Sequence, residues 1–86
     1  MKTGIIVYVV HGEKVDEDFD MEKAVGRLNL NAEGVEVVSS MENNFDLMHA
    51  WWLLTAKGMG RIVCIIAEIV NHSDLKLTGR ELRLCG

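Results

Sequence analysis

Three short polar clusters carry the side chains best suited to chemistry in this chain: His11-Gly12-Glu13, Ser39-Ser40 and Asn71-His72-Ser73-Asp74. Each follows an apolar run rich in β-branched residues, so each belongs at the end of a strand. Imidazoles titrate near neutrality, and hydroxyls beside a helix N-terminus suit an anion. His11, His72, Glu13 and Asp74 also include the donor types that a metal ion takes. No Walker A sequence and no Gly-x-Gly-x-x-Gly supports a phosphate site. Ordinary turn chemistry accounts for polar residues at any strand end. The ligand-binding set expected from position alone is His11, Gly12, Ser39, Ser40, Asn71 and His72, with no metal assigned and the cofactor unknown.

Other reactive or ligating residues point less far. Asp16-x-Asp18-x-Asp20 resembles the opening of a calcium loop, but Met21 stands where Gly is needed and Arg27 where Glu is needed. Those acids instead suit the positive end of a helix. Cys64 and Cys85 form no Cys-x-x-Cys pair and no disulfide framework. Cys64 lies inside an apolar run and reads as a small core filler. Glu68, two residues before the end of that run, must reach water or find a partner. Whether the chain is an enzyme stays open.

The elements that would position these groups follow from periodicity. Residues 4–10 form a continuous apolar run, the mark of a strand covered on both faces. Met21, Ala24, Val25 and Leu28 recur on one helical face, with Asp18 or Asp20 as cap. Val35–Val38 read as an edge strand ended by Ser39-Ser40. Asn43 or Asn44 caps a second helix that runs to about Lys57 and stops at Gly58-Met59-Gly60. Residues 62–70 are a third strand. Residues 75–84 read either as a strand, from the alternation of Leu75, Leu77, Leu82 and Leu84, or as a helix opened by the capping box Thr78-x-x-Glu81; the alternation favours strand.

The order β-α-β-α-β-β calls for right-handed crossovers and parallel strands. The two strands that are apolar on both faces belong in the middle, which gives a sheet of order 2-1-3. A fourth strand reached by a short turn must be antiparallel and lie beside the third. The expected fold is a small three-layer α/β domain, residues 1–86, with a mostly parallel sheet. An order of 1-2-3 competes and would leave one sheet face open.

The second helix is the anomaly. Phe45, Leu47, Met48, Ala50, Trp51, Trp52, Leu53, Leu54 and Ala56 go almost all the way round it. Adjacent helical residues diverge by about 100°, so Trp51 and Trp52 cannot both enter the core of so small a domain. One of them is expected in an interface, where Trp is enriched. Self-association through the helix at 43–58 follows. His49 and Asp46, three apart, read as a surface pair.

One block, residues 45–67, is locally similar to the DsrE-like sulfur-relay proteins. It comprises Phe45-Asp46-Leu47, Ala50-Trp51, and Cys64 with Ala67 in the following strand. The resemblance implies an oligomeric α/β domain and a persulfide-carrying thiol, a role that would fall on Cys64. This chain is shorter and shows no clear third helix after the cysteine strand.

Composition bounds the rest. The chain has 86 residues, formal charge -4 and 49% hydrophobic residues, so it forms a core but a marginal one. Without a basic stripe it is not expected to bind nucleic acid or an anionic membrane. The apolar start is too short for a secretory signal, and no run spans a membrane; the cytoplasm is the expected compartment. Two functions remain: a self-associating domain that takes a small ligand or protein partner at the strand C-terminal edge, or a thiol-based sulfur carrier or sulfurtransferase-like protein using Cys64.

Overall fold

Thr3–Val10 forms β1, whose apolar side chains on both faces are buried between two layers of helix. The structure is a computed structural model that describes residues 2–11 and 18–82. After β1 come α1 (Met21–Arg27), β2 (Val35–Met41), α2 (Asn44–Ala56), β3 (Arg61–Asn71) and β4 (Asp74–Leu82). The strands make one sheet of order β2-β1-β3-β4. β1 pairs in parallel with β2 and β3, and β4 runs antiparallel to β3. The sheet order is the one expected from the apolar character of β1 and β3, and the order 1-2-3 does not occur.

Period-two alternation divides β1 between two cores. Even positions face α2: Ile6 and Cys64 pack there with Ala50 and Leu54. Odd positions face the other way: Val7, Val9 and Ala67 pack with Met21, Val25 and Leu28 of α1 and its exit. A Cβ at Gly4 would lie 2.9–3.2 Å from the Leu54 side chain, so any larger residue there would force Leu54 to shift. That close approach lets α2 sit down on the sheet.

Both helices start where side chains could cap them. The Asp20 carboxylate accepts from the Lys23 N–H at 3.1 Å, and the Asn43 side chain accepts from the Phe45 N–H at 2.8 Å. Each satisfies one orphan donor of a helical first turn. Gly58, at φ 79°, ends α2 in the left-handed region.

One boundary differs from expectation, and one ambiguous segment takes the form that its alternation favours. β2 does not end at Ser39-Ser40 but continues through them to Met41. Ser40 pairs in register with Tyr8, and its hydroxyl donates to the Met41 carbonyl at 3.2 Å, so a polar side chain continues the strand without an unmet hydrogen bond. The ambiguous segment 75–84 forms a strand through Leu82, not a helix. Thr78 is no helix cap: its hydroxyl donates to the Ile66 carbonyl of β3 and accepts from the Arg80 N–H, both at 3.2 Å. These bonds fill an irregularity where Thr78, Gly79 and Arg80 stand between the pairs Ile65↔Glu81 and Ala67↔Leu77. Gly79 takes φ 80° there, as such a bulge requires.

Candidate functional site

Parallel register decides which strand-end residues can meet. Ser40 lies level with Tyr8, and Tyr8 with Ile66. His11 follows the last residue of β1, Val10, which lies level with Glu68. β3 runs on to Asn71, so His72 lies three positions beyond the level of His11 and six beyond that of Ser40. At about 3.3 Å per residue the stagger between Ser40 and His72 is about 20 Å. The β3–β4 hairpin overhangs the rest of the sheet, and the three polar clusters form a staircase rather than one row.

The residues of the expected set also differ in exposure. His11 and His72 are exposed. Ser39 is exposed, whereas Ser40, on the opposite face, is only 3% exposed. Alternation along β2 thus separates the two hydroxyls. Gly12, Glu13 and Cys85 lie outside the described residues.

Asn71 and its neighbours are occupied with one another. The Asn71 side chain donates to Asp74 at 2.9 Å and accepts from the Ser73 N–H at 3.0 Å. Arg27 of α1 donates to the same Asp74 at 2.7 Å and to the Ser73 hydroxyl at 3.2 Å. The Asp20 N–H donates to the His72 carbonyl at 2.9 Å. Together these bonds clamp α1 to the overhanging hairpin. The Arg27 and Asn71 hydrogen bonds hold the Asp74 carboxyl below its ordinary value. The cluster has the composition of a binding site, but its hydrogen bonds tie the fold together. Among the described residues, no three His, Cys, Asp or Glu side chains converge so as to hold a metal ion.

Cys64 is fully buried in the α2-side core. Burial pushes its thiol above the usual value, the reverse of what a thiolate nucleophile needs. Glu68 is exposed, so its carboxylate reaches water, and it lies level with Lys76 across the β3–β4 pair.

The surface of α2 offers the most unusual chemistry. Ala50 and Leu54 enter the core, and Leu47 and Trp51 pack at its margin. Phe45, Met48 and Trp52 lie on the far side, 79%, 61% and 60% exposed. They are spaced i, i+3, i+7 and so form one stripe. The two tryptophans diverge as adjacent helical residues must, Trp51 inward and Trp52 outward. His49 was expected to pair with Asp46; the contact found is a stack on Trp52, with ring centroids 6.5 Å apart and an interplanar angle of 18°. Periodicity had already shown this excess of apolar residues. The hairpin clamp was less visible, because nothing in Arg27 alone announces a partner 47 residues away.

The chain matches no protein-family model, no curated protein and no solved structure. No described helix is long and apolar enough to cross a membrane.

Proposed function

We propose that this domain works as a subunit of a homo-oligomer, with α2 as its contact surface. The observation that carries this reading is the exposed stripe of Phe45, Met48 and Trp52. Isolated exposed apolar residues are ordinary, but a contiguous aromatic stripe on one helix marks an interaction site. A polar residue at each of these positions would serve a solvent-facing helix as well. The chain is also near the size at which a single core is marginal, so association supplies burial that the monomer lacks.

The thiol-carrier alternative has less support, because the one described cysteine is buried with a raised pKa. A ligand at the strand C-terminal edge also has less support. The Asn71 side chain there is bonded within the hairpin, and Ser40 lies about 20 Å along the strands from His72.

The test is Trp52→Glu. It places a charge in the middle of the stripe without touching the core. The variant is expected to keep the wild-type circular dichroism spectrum and to sediment as a monomer under conditions where the wild type associates. Unchanged association would remove α2 as the contact surface.

A further inference from the structure

We infer that two copies pack face to face about a two-fold axis parallel to the strands, so that the outer face of each α2 docks on the half of the other copy's sheet, β3 and β4, that its own α2 leaves open. The inference rests on the self-association reading and adds the surface that receives the stripe.

The offset of α2 makes the seat. α2 rests on β2 and β1 and touches β3 only slightly, while α1 packs on β4 from the opposite face. Among the described residues, no helix covers the α2 side of β4. Four strands about 4.8 Å apart make a face wide enough for two helices. A helix centred over β3 and β4 would lie two strand spacings, about 10 Å, beside α2, which is the distance at which helices pack.

The open half of the face is partly apolar. Alternation from Cys64, which lies in the α2-side core, turns Ile66, Glu68 and Val70 onto the same side of β3. Ile66 is half-buried and belongs to neither core. Val70 is 55% exposed. Lys76 of β4, level with Glu68, shares this side and is exposed.

The stripe is aimed at such a seat. The ion pair of Lys57 with Glu36, at 2.6 Å, marks the flank of α2 that overlooks β2. Met48 stands nine residues before Lys57, two and a half turns, so it lies on the opposite flank, toward β3. Phe45 and Trp52 point away from their own sheet, opposite the buried Ala50 and Leu54. A two-fold parallel to the strands, passing beside the Met48 flank, sets the two α2 helices side by side in one layer between two sheets. Met48 then meets its counterpart across the axis, and Phe45 and Trp52 of each copy face the open sheet of the other, around Ile66. Phe45, Met48 and Trp52 offer on the order of 400 Å² of apolar surface per copy, judged from typical side-chain areas. A stable interface buries about 800 Å² per partner, and the open sheet face supplies the balance.

Charge complementarity agrees with this packing. Asp46 stands eleven residues before Lys57, three turns, and so shares its β2-side flank. Lys57 reaches Glu36, which lies level with Gly4 and through it with Ile62 of β3. α2 runs opposite to the strands, so Asp46 is about 16 Å nearer the C-terminal edge of the sheet. That is about five strand residues, the level of Ala67, one short of Glu68 and Lys76. The two-fold keeps these levels and lays the β4 side of one copy over the β2-side flank of the other copy's α2. Asp46 of each copy therefore comes beside Lys76 of the other. Both are exposed, and among the described residues neither has a salt bridge within its own chain.

Charge reversal and a methyl probe test the arrangement. Asp46→Lys and Lys76→Glu are each expected to weaken association at least about 10-fold in sedimentation, and the two together to recover most of that loss, as a coupled pair does. In the wild-type oligomer the Ile66 methyl signals are expected to lose the broadening that a soluble paramagnetic probe gives them in the Trp52→Glu monomer. Equal broadening in the two overturns the face-to-face packing and leaves self-association through α2 standing, as do charge reversals that leave association unchanged. A wild type that is monomeric overturns both. If a reversal variant does not fold, the Ile66 broadening decides alone.

Discussion

Gly4, Asp74 and Cys64 each sit where one physical effect dominates. A methyl at Gly4 would stand 2.9 Å from a Leu54 methyl. Leu54 is fully buried. Gly4→Ala is therefore expected to destabilise the domain by about 1–3 kcal/mol, an overpacking effect, read from the urea midpoint. Asp74 has its pKa lowered by the Arg27 and Asn71 hydrogen bonds. A depressed folded pKa means stability that is complete above the unfolded aspartate value and lost as pH falls through the folded one. The stability gap between wild type and Asp74→Asn should accordingly narrow below the ordinary aspartate pKa of 3.8. A gap constant with pH would show that the carboxylate charge contributes nothing. Cys64, isolated in a Cys85→Ser background, should react with a thiol reagent only as fast as the fold opens. Rapid labelling of the native protein would revive the carrier reading. The burial of Cys64 was legible from its place in an apolar run, whereas the Arg27–Asp74 pair was not, because a long-range contact between two exposed charges leaves no local pattern.

At the scale of the element, α2 and β2 show what periodicity can and cannot tell. The α2 boundaries were readable because Asn43 and Gly58 have side-chain or backbone properties needed only at helix ends. Serine is common in turns, so Ser39-Ser40 reads as the end of β2, yet Ser40 satisfies its hydroxyl within the strand. The difference matters for the site: a strand end would hold Ser39 and Ser40 together, when alternation sends them to opposite faces. The staircase of strand ends was likewise hidden, since a sequence gives strand order more readily than register. Trp51 and Trp52 test the helix directly. Trp51→Ala removes a side chain packed at the core margin and should lower stability by about 1–3 kcal/mol, less than for a fully buried Trp. Trp52→Ala should leave monomer stability nearly unchanged and weaken association. Equal stability losses in the two, measured on the Trp52→Glu-type monomer background for Trp51, would contradict their opposite orientations.

For the molecule as a whole, the two helices cover the sheet on opposite faces, with α1 over β4 and α2 over β1 and β2. The hairpin clamp holds the first in place, and the Gly4–Leu54 contact seats the second. Sheet order was readable because only β1 and β3 could tolerate a central position. The central claim is that the chain is completed by another copy of itself. Sedimentation velocity of the wild type at micromolar concentrations tests it most directly. The account predicts a species of at least twice the 9.6 kDa chain mass, dissociating on substitution of Trp52 by Glu. A single 9.6 kDa species up to about 100 μM, where even weak specific association is populated, would contradict it.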